Sequence, residues 1–391
     1  MKILLTTDCY TPMVNGVVTS VLTLKQALTA QGHEVRVLTL SRTAHSYQDG
    51  DVTYIGAVSA GMIYPGARLR TAPALALLRS IARWRPDVIH SQCEFSTFFM
   101  ARRLAAATGA PLVHTYHTVY EDYTHYFSPS RRWGRAAVAA FTRWVVGQTA
   151  CVIAPTEKVR RLLEGYRVAS PIAVIPTGID LSRFTASADD GAARSALRCR
   201  LGLPDDAVVL TYVGRLAEEK NLTQLVRYVA GVRDENIRLL LVGDGPYRPT
   251  LEQQVRELGI GQRVCFAGMV APEQVPAYYR AGDLFVSASS SETQGLTYIE
   301  ALASGLPALC RQDPCLTGVI RDGVNGWQFR DGAEFRTDLR RFLDDPALRV
   351  HMSANAAAMA RREFSAETFG RRAAELYEQV IQAGRKSAGV A

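Results

Sequence analysis

Residues 207–221 read AVVLTYVGRLAEEKN: an almost unbroken apolar run of strand length, a glycine, then a charged loop opening toward the helix-length segment NLTQLVRYVAGV (221–232). A run without polar alternation suits a strand buried on both faces, the habit of parallel sheets covered by helices. Downstream the unit recurs in IRLLLVGDG (237–245), RVCFAG (263–268), DLFVSAS (283–289) and LPALCR (306–311), separated by helical segments such as YRPTLEQQVREL (247–258). Upstream lies an earlier series: KILLTTDCY (2–10), HEVRVLTL (33–40), DVIHSQ (87–92), PLVHTYH (111–117) and ACVIAPT (150–156), with the amphipathic SVLTLKQALTAQG (20–32) after the first run. Two series of alternating strands and helices predict two tandem Rossmann-like, doubly wound α/β units with a cleft between them.

The break falls at IPTGIDLSRF (175–184), where Pro176 and Gly178 interrupt regular structure and the polar TASADDGAARS (185–195) follows. Residues 1–178 are thereby assigned to a first unit and 179–366 to a second. The helical SAETFGRRAAELYEQVIQAG (365–384) leaves residues 367–391 able to pack back on either unit.

The chain has 391 residues, 48% of them apolar and 21% charged, which excludes a disordered chain and suffices for two cores. No apolar stretch approaches the roughly 18–20 residues of a membrane span. The N-terminus MKILLTTDCY runs into a strand pattern without a signal-peptide core, so a cytosolic protein is expected. Cys9, Cys93, Cys151, Cys199, Cys265, Cys310 and Cys315 are odd in number and lack CxxC spacing, so reduced thiols are expected rather than disulfides or zinc. The net charge of +8 is one-sided: residues 1–180 hold 19 Lys and Arg against 11 Asp and Glu, and the remainder 26 against 26. A basic first half suits an anionic surface, acidic lipid or nucleic acid, although a basic soluble domain would look the same.

SSSETQGLTYIEALASGLP (289–307) places Glu292 and Glu300 eight positions apart around Gly295, at a strand end where α/β sheets bind ligands. Backbone N–H groups around Gln294, Gly295 and Leu296 can meet phosphate or sugar oxygens. Glu300, about two helical turns beyond Glu292, can accept both hydroxyls of a ribose. Taken alone, these features also describe an ordinary helix start. In VGRLAEEKN (213–221), Arg215 and Lys220 lie in a strand-to-helix loop and can converge on a leaving diphosphate, doing what magnesium does elsewhere. No metal and no other cofactor is expected.

GRLAEEKN (214–221), VGDGP (242–246) and ETQGLTYIEALASGLP (292–307), with Asn15-Gly16 in the first strand-to-helix loop, resemble family 4 of the retaining GT-B glycosyltransferases over nearly the whole chain. The resemblance implies a metal-independent hexosyltransferase using a nucleotide-sugar donor. It assigns Glu300 to the ribose, Arg215 and Lys220 to the diphosphate, and Glu292 to the sugar hydroxyls. Gly16 would let the N-terminal loop approach the phosphates. His117, closing PLVHTYH, matches the family's His near the reacting carbon, although a strand-end His is ordinarily structural. His114 and His125 are weaker candidates, and Glu94 is a candidate acceptor contact.

RRWGRAAVAAFTRW (131–144) sets Arg131, Arg132, Arg135 and Arg143 among Trp133, Phe141 and Trp144. It fits a helix resting on an anionic bilayer, although its pattern alone slightly favours an ordinary amphipathic helix with a core face and solvated arginines. The wording HTYHTVYEDYTHY (114–126) is similar to bacterial diacylglycerol glucosyltransferases. That similarity implies UDP-glucose as donor, a 1,2-diacylglycerol hydroxyl as acceptor, an α-glucoside product, and peripheral attachment to the inner face of the cell membrane. Glucose and galactose are not separated by these residues. Another acceptor, such as phosphatidylinositol or a soluble sugar, stays open, as do a nucleotide-sugar epimerase and a non-catalytic sensor. No nucleic-acid motif is present, so no nucleic-acid partner is expected.

Overall fold

The computed structural model describes residues 1–13, 15–59, 68–70, 74–117, 131–185, 190–290 and 292–388. It divides into two compact units, residues 1–178 with 366–391, and residues 179–365.

The first unit begins with β1 (Lys2–Thr7), α1 (Gly16–Ala30), β2 (Glu34–Leu40), β3 (Tyr47–Asp49) and β4 (Val52–Ile55). A small pair, β5 (Ala57–Ser59) and β6 (Arg68–Arg70), precedes α2 (Leu75–Trp84), β7 (Val88–Ser91), α3 (Ser96–Thr108) and β8 (Leu112–Thr115). Then come α4 (Arg131–Val146), β9 (Cys151–Ala154), α5 (Glu157–Gly165) and β10 (Ile172–Val174). The main sheet runs β10-β9-β8-β7-β1-β2-β4-β3, and only the β3–β4 pair is antiparallel. The strand order reverses at β1, which has β2 on one side and β7 on the other. Such a reversal opens a crevice at the carboxyl ends of the strands.

The second unit contains α6 (Asp190–Arg200), β11 (Val208–Val213), α7 (Leu222–Ala230), β12 (Ile237–Val242), α8 (Arg248–Glu257) and β13 (Val264–Gly268). It continues through α9 (Val275–Ala281), β14 (Leu284–Ser287), α10 (Leu296–Ala303), β15 (Ala308–Arg311), β16 (Gly326–Phe329), α11 (Gly332–Asp344) and α12 (Pro346–Phe364). Its parallel sheet runs β13-β12-β11-β14-β15-β16, so its reversal lies between β11 and β14. Leu210, Leu284 and Val286 from these two strands have no exposed surface, as strands covered on both faces require.

The final helix, α13 (Ala366–Ala388), belongs to the first unit. Phe369, Ala373 and Tyr377 enter the core formed by Ile3, Leu5, Val21, Leu24 and Leu28, which seats α13 against β1 and α1.

Candidate active site

In the second unit the loops that follow β11 and β14 are neighbours because the strands are. Lys220 closes the first loop and Glu292 stands in the second. Lys220 Nζ donates to Glu292 Oε1 at 2.6 Å, and Ser289 Oγ donates to the same oxygen at 3.0 Å. The two side chains of the ion pair are 19% and 20% exposed, so it is partly withdrawn from water and less screened than a surface pair. Asn221, with φ 52°, donates from Nδ2 to Ala288 O at 3.3 Å and ties the loops together again.

The eight-residue interval between the two glutamates is not two turns of helix. Helix α10 starts only at Leu296, so Glu292 is a loop residue and Glu300 stands one turn into the helix. Gly295 is the hinge between them. Its φ of 69° is left-handed, and a Cβ there would collide with the ring of Tyr298. Helix α10 thus follows a residue without a capping side chain, itself directly after the buried Gln294; the N–H groups of Leu296 and Thr297 precede its hydrogen-bond ladder, and Tyr298 N donates to Gly295 O at 3.1 Å.

Glu300 is half-buried, and Tyr279 Oη donates to its Oε2 at 2.8 Å. Burial raises the carboxyl pKa, opposed by the Tyr279 bond and by nearby Arg183. Tyr279, on α9, was not singled out from sequence, since nothing local marks a tyrosine 21 residues upstream as a partner.

Arg215 and Lys220 meet different carboxylates. The side chain of Arg215 is 64% exposed and pairs with Glu219 of its own loop. A short 3-10 turn over Glu218–Lys220 brings Glu219 to Arg215 and sends Lys220 to Glu292. The backbone under Arg215 is held by the VGDGP segment: Gly214 N donates to Val242 O at 2.9 Å and Leu216 N to Asp244 O at 3.0 Å. Gly243 permits this approach, because a Cβ there would strike Gly214 O.

In the first unit, His117 follows β8 and Gln92 follows the adjacent β7. His117 Nε2 lies 2.7 Å from Gln92 Oε1. Burial lowers the pKa of His117 to about 4, opposed by Glu94 and reinforced by His114, so the ring is neutral near pH 7. Glu94 is not the accessible loop carboxylate that an acceptor contact requires. It is 4% exposed, and its Oε1 lies 3.3 Å from Nε2 of the fully buried His114, which makes both inward-facing residues. Asp8, beside them, accepts from Thr97 N at 2.7 Å and Ser96 N at 3.1 Å, capping α3 from the loop after β1. Gly16 opens α1 after the Asn15 cap, and a Cβ on it would meet no atom within 4 Å. No packing within the fold demands a glycine there. His125 and the rest of residues 118–130 lie outside the described residues.

Helix α4 combines the two readings of its sequence. Val138, Val145 and Val146 are buried, while Arg132, Arg135 and Trp133 are exposed, Trp133 by 77%. Arg131 is its first residue. Phe141 stacks on Trp144 and on Phe95, and Arg102 lies 5.2 Å over the Trp144 ring. The exposed Phe95 and Phe99 extend this aromatic surface, and FSTFF (95–99) was the signal for them in the sequence.

All seven cysteines are free thiols. Among the described residues no three His, Cys, Asp or Glu side chains are grouped to hold a metal ion, and no helix is long and apolar enough to cross a membrane.

Residues 14–183 match the model for Glycosyltransferase Family 4, and residues 194–359 that for Glycosyl transferases group 1. The alpha-monoglucosyldiacylglycerol synthase of Streptococcus pneumoniae is 35% identical over 385 residues, covering 97% of this chain and 86% of that protein. The chain belongs to glycosyltransferase family 4. This family 4 enzyme is also 31% identical over 400 residues to the alpha-monoglucosyldiacylglycerol synthase of Acholeplasma laidlawii, covering 99% of each. Its GT-B fold matches the crystal structure of Anabaena HepE in complex with UDP, with a TM-score of 0.76, 20% identity, and 97% and 100% of the two chains covered. It is a glycosyltransferase whose two Rossmann-like units each gather polar residues at a strand-order reversal.

Proposed function

We propose that this enzyme moves glucose from UDP-glucose to the free hydroxyl of 1,2-diacylglycerol, with retention and without a metal, at the cytoplasmic face of an anionic membrane. The observation that carries the reading is the identity of 35% and 31%, over 97% and 99% of the chain, with two proteins named alpha-monoglucosyldiacylglycerol synthase. The donor half is supported by Lys220, Glu292 and Glu300 standing on neighbouring elements of one sheet edge, and by a structural neighbour that holds UDP.

In this reading Glu300 accepts the ribose hydroxyls. Lys220 and Arg215, with the first amides of α10, neutralise the diphosphate as its charge grows, and Glu292 fixes the sugar hydroxyls. The acceptor oxygen attacks the face from which the diphosphate departs. A donor phosphate oxygen takes the acceptor proton, one carbon–oxygen bond forms as another breaks, and the configuration is kept. Neutral His117 steadies the positive charge that passes through the sugar ring.

The test is to incubate the purified protein with a panel of radiolabelled nucleotide sugars and diacylglycerol vesicles containing a chelator. Labelled α-glucosyl lipid from UDP-glucose is expected. Label appearing only in a soluble acceptor, a β-linked product, or loss of activity in the chelator would overturn the corresponding part.

A further inference from the structure

Strand β7 ends in His90 and Ser91, and Gln92 follows. His90 is 1% exposed and Gln92 2%, and together they begin a chain of buried polar contacts that ends at His117. The ring of His90 is held at both nitrogens: Tyr377 Oη lies 2.6 Å from Nδ1, and Thr115 Oγ1 lies 2.7 Å from Nε2. A phenol is the stronger donor, so Tyr377 donates to Nδ1 and Nε2–H donates to Thr115.

Gln92 Nε2 lies 3.1 Å from both nitrogens of that ring. A point so close to both cannot lie in the ring plane without overlapping a ring carbon, so the amide nitrogen sits over the ring face. An N–H group is attracted to the electron-rich face of an aromatic ring, whereas an amide oxygen would be repelled by it. The face of His90 therefore orients the Gln92 amide, nitrogen toward His90 and oxygen toward His117. That oxygen carries no hydrogen and can only accept, so His117 must hold its proton on Nε2. A neutral imidazole has one ring proton, and Nδ1 is left bare.

We infer that Gln92 is a positioning residue that fixes His117 in the Nε2–H tautomer with Nδ1 free to act, and that Tyr377 of α13 secures Gln92 through His90. The proton on Nε2 follows from this geometry; its value to the reaction rests on the proposed glucosyl transfer. The contact spans 287 residues, so the last helix of the chain supports a side chain at the carboxyl edge of the first unit's sheet. Among the described residues, the ionisable groups that act on His117 are Glu94, His114 and His90, and none of them is the partner of Nε2.

Protein labelled with 15N-histidine, examined at pH 7 by long-range proton–nitrogen correlation, reads the tautomer directly. Wild-type His117 is expected in the Nε2–H pattern. Gln92→Leu is expected to mix the tautomers and lower kcat by about 10- to 100-fold while KM for UDP-glucose stays within about twofold. Gln92→Glu, which retains an acceptor, is expected to keep the Nε2–H pattern, restore most of kcat and raise the pH at which His117 protonates. Tyr377→Phe preserves the packed ring and is expected to alter the His90 pattern first. A wild-type Nδ1–H pattern, or a Gln92→Leu protein with an unchanged pattern and kcat, would overturn the inference. Tyr377→Phe spectra identical to wild type would remove α13 from it. Should UDP-glucose prove not to be the donor, the spectra still decide the tautomer, so the two failures are told apart.

Discussion

Lys220 Nζ and Glu292 Oε1 are 2.6 Å apart, an ion pair across 72 residues that joins the loops after two adjacent strands at the reversal of the second sheet. In the proposed reaction a diphosphate competes for the cation and the sugar hydroxyls compete for the carboxylate. Lys220→Ala removes the cation and leaves a half-buried carboxylate facing the phosphates. Steady-state kinetics should show kcat/KM lower by about 100- to 1,000-fold. Glu292→Gln keeps hydrogen bonding to the sugar and should lose less, with UDP affinity held by calorimetry.

Arg215 presents the opposite case, because its pair with Glu219 is exposed and such pairs contribute little to stability. Arg215→Ala should leave the melting temperature unchanged while turnover falls by about 100-fold, as expected of a cation engaged mainly as leaving-group charge develops. A turnover near wild type would confine the diphosphate role to Lys220.

Glu300 receives a hydrogen bond from Tyr279 on Oε2, and in the proposed reaction its remaining acceptor capacity takes the ribose hydroxyls. Glu300→Ala should weaken UDP binding by about 10- to 100-fold, the cost of losing charged hydrogen bonds. Tyr279→Phe should weaken it less, because the carboxylate stays but is no longer steered. Calorimetric titration with UDP measures both.

Much of the fold was legible because strands buried on two faces show it in their composition, as AVVLTYV and IRLLLV do. The strand order was not, since it depends on pairing between distant segments, and that order is what sets Lys220 beside Glu292. The same limit explains Arg215: a loop of two cations and two glutamates does not reveal which glutamate each cation meets until the turn over Glu218–Lys220 is seen. Glu94 read as a loop carboxylate and His114 as a weaker candidate, yet both are buried, with Phe98 of α3 edge-on to the His114 ring. Gln92 and Tyr377 carried no motif, since each is ordinary except for its neighbours.

His117 titrates near 4 in the folded protein against an ordinary 6.5, because burial disfavours the imidazolium. Between those values the unfolded chain binds more protons than the native one. The stability this residue contributes is therefore complete above about pH 6.5 and is lost as the pH falls toward 4. His90, lowered chiefly by burial, acts with the same sign. Calorimetric melting temperatures should fall across this window, and less steeply in His117→Asn. The rate profile should show no inflection near 6.5 from His117; an unchanged slope in the variant would place the titration elsewhere.

The exposed face of α4 offers Arg132, Trp133 and Arg135 to solvent, with Arg131 at its first position. A basic residue near an anionic bilayer contributes about 1 kcal/mol of attraction, and the effect fades with salt. Reversing Arg131, Arg132 and Arg135 to Glu replaces that attraction with repulsion and should lower partitioning onto anionic vesicles by more than about 100-fold. Trp133→Ala should weaken binding in a manner less sensitive to salt, since an indole at the interface acts through apolar burial. Co-sedimentation at low and high salt separates the two contributions, and detergent-dispersed diacylglycerol checks that catalysis survives. A triple variant that still pellets with the vesicles would deprive this helix of its proposed membrane role and shift attention to Phe95 and Phe99, the exposed aromatics that adjoin it.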